Sequence, residues 1–344
     1  MAGFLSLAVC TGLSWHSQAA YSPALVEHRL RVADLKPGYL PGGADITIQA
    51  PAVADRYNWL WGKIHVNYLG TWNPQARSAF EYAKHIWEMQ LSIPVTIEVD
   101  AYWIPIPGNA LGSAIPATLF RDFAGAPFTN TYYAAAVANQ LAGTDIFTSG
   151  VEILAQFNSA FNPAPGQGWY FGTDGNVDAN HWDFVTVVLH ELGHGLGFDH
   201  TMLYVDGFGY WGIGDNPTYP KIYDRFVVNG ANDPLIFAFP NKTTDLGAQL
   251  VSDNLFFSGS YAVAANGGQP PRLHAPNSWE EGSSIGHLDE TLFPPAGGNG
   301  LMSPSLMNGE AIHAPGPVAV AMLEDLGWTL LPPPTKLFLP MLSR

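Results

Sequence analysis

The clearest periodic signal in the chain lies between positions 185 and 196. Val185, Val188, Leu189, Leu192 and Leu196 recur at the three- and four-residue spacing of a buried helical stripe. His190 and His194, four residues apart, share another face of that helix and point away from the stripe. Asp183 stands just ahead as a cap. A second helix is expected after Asn73 and Pro74, a good N-cap followed by a good first helical residue. Ala76, Phe80, Ala83 and Trp87 mark its apolar face, and it ends before Pro94. Residues 64–68 alternate like a strand, and residues 95–103 form another strand candidate. Helical pieces are expected at 132–141 and 151–157, and strands near 221–228, 234–239 and 255–258. A closing helix should start at Pro317 and stop at Gly327, with Ala319, Met322, Leu323 and Leu326 inside.

The chemistry gathers on the first of these helices. Residues 190–200 read His-Glu-Leu-Gly-His-Gly-Leu-Gly-Phe-Asp-His, three imidazoles and a carboxylate at spacings that suit a catalytic metal. Glu191 follows the first histidine and can reach a water on the metal without occupying a metal position. Gly197 can adopt positive φ and end the helix, which would return His200 to the same ion. Glycines at 193, 195 and 197 would each cost a free helix about 1 kcal/mol, so close packing or an early helix end is expected there.

Composition narrows the picture. Only 12% of the residues are charged, while Gly (36) and Pro (28) are plentiful, the mix of a loop-rich compact protein. A formal charge of −15 argues against nucleic acid or an anionic membrane as partner. Cys10 is the sole cysteine, so no intramolecular disulfide is possible. The apolar run at 4–13, with small residues at 17–19, reads as a secretory leader over 1–19, too short to span a membrane. No later stretch approaches the roughly 20 apolar residues that a span needs. Residues 20–55 are expected to be a propeptide or an N-terminal strap, 56–330 the functional domain, and 331–344 a loose Pro-rich tail.

The pattern His-Glu-x-x-His-x-x-Gly-x-x-His resembles that of the metzincin zinc peptidases. The resemblance implies an α+β fold of two subdomains, a mixed twisted sheet with two long helices above a cleft. It implies one Zn²⁺ held by His190, His194 and His200, with Glu191 as general base for a zinc-activated water. Leu301-Met302-Ser303-Pro304 is similar to the methionine turn of the matrix metalloproteinase branch, which makes Met302 a buried thioether floor. Proline at 304 replaces the tyrosine that other branches carry there. Leu111, Gly112, Ser113 and Ala114 resemble the edge strand on which these enzymes pair extended substrate. The function so implied is a secreted endopeptidase acting on proteins or peptides. A zinc hydrolase of non-protein amide bonds is one alternative. A binding or adhesive protein with a residual metal site is another, against which the intact Glu191 argues.

Residues 201–300 have no counterpart in that resemblance and are expected to be an insertion that enlarges the lower subdomain. Within it, 282–290 is unusually polar. His287 and Asp289 are expected either to support the metal cleft or substrate, or to tie down a hydrogen-bonded loop. Asp174, Asn176, Asp178 and Asn180 alternate oxygen donors before the metal helix. Alanine at 179 and valine at 185 exclude an EF-hand, leaving a looser Ca²⁺ loop or an ordinary polar turn.

Overall fold

The computed structural model describes residues 63–106, 110–148, 150–161, 165–214 and 217–332, with the strand backbones of Val26–Arg29 and Thr47–Ile48. The expected leader at 1–19 and the tail beyond 332 lie outside the described residues. The fold is α+β. A four-stranded sheet is built from β1 (Ile64–Gly70), β2 (Ile97–Ile104), β3 (Gly112–Pro116) and β4 (Ile153–Asn158), in spatial order β1-β2-β4-β3. The first three strands in that order run parallel, and β3 lies antiparallel on the edge beside β4.

Helix α1 (Pro74–Glu88) is the crossover between β1 and β2, as parallel strands require. Asn73 caps it by accepting from the Gln75 N–H at 2.8 Å, and Ala76, Phe80, Ala83 and Trp87 are all fully buried. α2 (Ala135–Ala142) follows β3, and α3 (Phe184–Gly195) carries the histidine motif. The indole of Trp87 donates to the Leu189 carbonyl at 2.9 Å, joining α1 to α3. Phe80, Phe157, Phe184 and Trp72 meet edge-to-face between these elements, so aromatic packing fixes how α3 lies against the sheet.

The segment 151–157, expected to be helical, is instead β4. Every residue of this strand is buried, with a neighbour on each side. A strand covered on both faces loses its alternation and reads as a plain apolar run.

Beyond residue 200 the elements are short: α4 (Leu235–Ala238), α5 (Thr244–Leu250) and α6 (Ser260–Ala265), with two-stranded pairings such as Val227–Asn229 against Leu255–Phe257. The stretch near 234–239 is thus a single helical turn and not a strand, because Pro234 sets the first turn and Phe239 is already extended. The closing helix α7 (Pro317–Leu326) has the expected limits, with Gly327 at φ 123°. Trp328 just beyond donates its indole N–H to the Leu196 carbonyl at 2.8 Å, bracing the end of α3. From the N-terminal region, Val26–Arg29 pairs antiparallel with Thr118–Arg121, and Thr47–Ile48 pairs parallel with Ala311–Ile312. No helix among the described residues is long and apolar enough to cross a membrane.

Candidate metal centre

The helix that presents the histidines is anchored at both ends. At its start, Asp183 Oδ2 accepts from the Thr186 backbone N–H at 2.7 Å and from the Thr186 hydroxyl at 2.6 Å. His313 bonds to the same oxygen at 2.7 Å, and both residues of this pair are buried. A carboxylate is tolerated there because it is held by several donors. The cap was legible in the sequence, whereas His313, 130 residues away, was not. At the other end, Gly197 at φ 115° takes the chain out of the helix. Inside the helix, a Cβ on Gly193 would fall 2.8 Å from the Met302 sulfur, so the absence of a side chain lets the thioether pack directly beneath the motif. Met302 is fully buried.

Three imidazoles converge at this level, and they are His190, His194 and His287. Their Nε2 atoms stand 3.0 Å (190–194), 3.2 Å (194–287) and 3.2 Å (190–287) apart. Each ring turns its Nδ1 to a backbone carbonyl: His190 to Leu301 at 2.6 Å, His194 to Phe198 at 2.7 Å and His287 to Ser283 at 2.8 Å. A carbonyl only accepts, so each Nδ1 carries the proton and each neutral ring leaves its Nε2 lone pair free. Burial keeps the rings neutral, holding His190 down to about 3 and His194 and His287 below the usual imidazole range.

Three lone pairs directed at one point repel one another unless a cation lies between them. Tetrahedral ligation at ordinary Zn–N bond lengths puts neighbouring nitrogens about 3.3 Å apart, close to the observed spacing. The trio could therefore hold a metal ion. Its donors are all nitrogen, which suits a first-row transition ion and not Ca²⁺ or Mg²⁺.

His200 does not join them, contrary to the expected 190–194–200 set. It is absent from the group whose nitrogens all lie within 4.8 Å of one another. Its Nδ1 accepts from the Met202 N–H at 2.9 Å. The place the motif assigns to it is taken by His287, from the polar stretch at 282–290. That stretch was a legible signal, but direct convergence with the motif was not foreseen. Its partner Asp289 faces the Arg272 guanidinium at 3.6 Å and accepts from the Leu292 N–H at 3.1 Å, so it orders the loop and does not approach the trio.

Glu191 is buried beside the trio, where the Ala114 N–H donates to its carboxylate. Burial pushes its pKa up to about 8, and a divalent cation on the adjacent nitrogens would pull it back down. The contact to Ala114 follows from strand register. Asn158 N–H donates to the Leu111 carbonyl and Ala117 N–H to the Glu152 carbonyl, so odd-numbered residues of this segment face β4. Gly112 and Ala114 therefore turn their backbone groups away from the sheet. Ser113, Ala114 and Ile115 line a cleft of about 340 Å³ shared with His190, Glu191 and His287. The observed strand starts one residue later than expected, at Gly112, with Leu111 next to it. Trp279 and Glu281 from the 201–300 segment close the opposite side of the cleft. On the far side of Glu191, Leu111, Leu301 and Leu306 bound a smaller pocket of about 50 Å³.

The acidic stretch at 174–180 behaves as a polar turn. Asp174 accepts from Tyr170 and Asn176, and Asp178 from the Asn180 N–H at 2.8 Å and from His181. Among the described residues the only grouping of three or more His, Cys, Asp or Glu fit to hold an ion is the histidine trio. Compared with known proteins, the chain matches no family model and no curated sequence.

Proposed function

We propose that the protein is a zinc-dependent endopeptidase of metzincin type, working outside the cell on extended segments of protein. One observation carries this reading: three Nε2 lone pairs meet at one point, with the Glu191 carboxylate beside them and the outward edge of β3 bordering the same cleft. His190, His194 and His287 would hold the ion. Zinc bound there supplies Lewis acidity and a lowered pKa for water. The outward backbone groups of Gly112 and Ala114 would receive an extended chain as an added strand, which places a scissile carbonyl next to the trio. Glu191 takes the proton from the attacking water and returns it to the leaving nitrogen. Its burial favours this work, since a carboxylate held out of bulk water is a stronger base than an exposed one.

The test pairs metal content with cleavage of an unstructured protein, for the wild type and for Glu191→Ala. The expected result is one zinc per chain in both, with chelator-sensitive cleavage by the wild type alone. A wild-type protein that binds no transition metal would overturn the proposal, and zinc without proteolysis would redirect it to a non-protein amide.

A further inference from the structure

The motif's last histidine is left with no place among the converging nitrogens, and its surroundings say what it does instead. We infer that His200 is a positioning residue, which clamps the loop that presents His287 to the metal. This rests on the metal-centre reading above, but not on the nature of the substrate.

His287 is carried by a loop that needs holding. Ile285, two residues before it, has φ +70°, a conformation that a β-branched residue seldom adopts without restraint. The restraints are visible on both sides of it. The Ile285 N–H donates to the His274 carbonyl at 2.7 Å, and its own carbonyl accepts from the Tyr223 hydroxyl at 2.9 Å. The His274 N–H in turn donates to the His287 carbonyl at 2.8 Å. His200 supplies the grip on the neighbouring residues. Its ring edge abuts Gly286 so closely that a Cβ there would come within 3.3 Å of Cδ2 and 3.4 Å of Nε2.

The ring is itself fixed, because Met202 N–H donates to its Nδ1 at 2.9 Å. With Nδ1 accepting, the proton of the neutral ring sits on Nε2. One nitrogen is thus committed as an acceptor and the other carries the proton. A metal ligand needs a free lone pair, and His200 has none to give in this arrangement. The chain from His200 to His287 is a short relay: the turn after α3 holds the ring, the ring packs against Gly286, and Gly286 sets the direction of His287 next to it.

The deciding measurement uses the intact protein loaded with ¹¹³Cd as a spin-active substitute for zinc. Scalar coupling from the metal to imidazole protons identifies the ligands in the wild type, so no variant has to fold for the question to be answered. Coupling to His190, His194 and His287 is expected, and coupling to His200 in place of His287 would overturn the inference while leaving the peptidase reading intact. Variants then test the positioning role. His200→Ala should weaken metal affinity about 10- to 100-fold while the cobalt-substituted protein keeps a three-imidazole absorption spectrum. His200→Asn, which keeps an acceptor for Met202, should recover part of that loss. His287→Ala should change the cobalt spectrum itself. A His200→Ala protein with wild-type affinity, or one whose spectrum shows a lost imidazole, would sink the assignment.

Discussion

The two sources of the converging imidazoles are built on different physics. His190 and His194 lie four residues apart on α3, and helix geometry alone stacks their rings, with centroids 4.7 Å apart. His287 comes from a loop 93 residues past His194 and reaches the same point through separate contacts around it, among them its own bonds to Ser283 and His274, Tyr223 on Ile285 and Leu288 on Met302. The helical pair is robust because each turn supports the next. The loop donor depends on a set of separate contacts, each worth little alone. The comparison teaches that the motif's first half fixes where an ion could sit, while the inserted segment decides how the site is completed.

The largest expected effect lies on the helical side. Glu191→Gln should cut proteolysis by about 10²- to 10⁴-fold, the usual worth of a general base, with zinc content unchanged. Equal loss of metal and activity would instead make Glu191 a structural partner of the trio.

Met302 joins the two halves, packing its thioether against Gly193 from below. Met302→Ala should lower stability by about 2 to 5 kcal/mol in denaturant titration, as expected for a cavity at a fully buried site. A change under about 0.5 kcal/mol would mean that the floor collapses freely and does not support α3.

A pH experiment probes the sheet that supports the helix. Glu152 lies buried beside β4, accepting from the Glu98 N–H at 2.6 Å, and burial pushes its pKa up to about 7. A carboxyl raised in the folded state contributes stability that is complete below its unfolded value near 4.3 and is lost as pH rises through about 7. Glu152→Gln removes that titration. The variant should therefore gain on the wild type between about pH 4.5 and 7, by roughly 1 to 3 kcal/mol in paired denaturant titrations. A stability difference flat across that range would contradict the buried, neutral carboxyl.

On the loop side, Tyr223→Phe deletes the hydroxyl that holds the Ile285 carbonyl. It should cost about 1 kcal/mol of stability and measurably weaken zinc binding in a chelator competition, while an equivalent change remote from the loop leaves affinity alone. The smallest effect is expected at the 174–180 turn. Asp178 is exposed and serves only its local turn, so Asp178→Ala should shift stability by less than about 0.5 kcal/mol, with no dependence on added Ca²⁺. A calcium-dependent melting shift that this variant abolishes would show that the turn binds the ion.

Local signals carried far in this chain. The helix from Asn73, the stripe of α3, the cap at Asp183, the glycine stop and the buried Met302 each follow from residues a few positions apart, because capping, periodicity and chain reversal are short-range physics. Periodicity fails where burial is two-sided: β4 shows no alternation, since both its faces are covered, and its apolar run reads equally as a buried helix. The third imidazole of the trio was hidden for a related reason. His200 stands at the expected spacing, and nothing in the sequence shows that the Met202 N–H occupies its Nδ1. The sequence by itself determined the paired histidines, the carboxylate beside them and the elements that carry both. Only the tertiary structure decided which imidazole completes the trio, because that depends on where a long segment of short, irregular elements places one ring, and loop placement is the sum of many distant contacts.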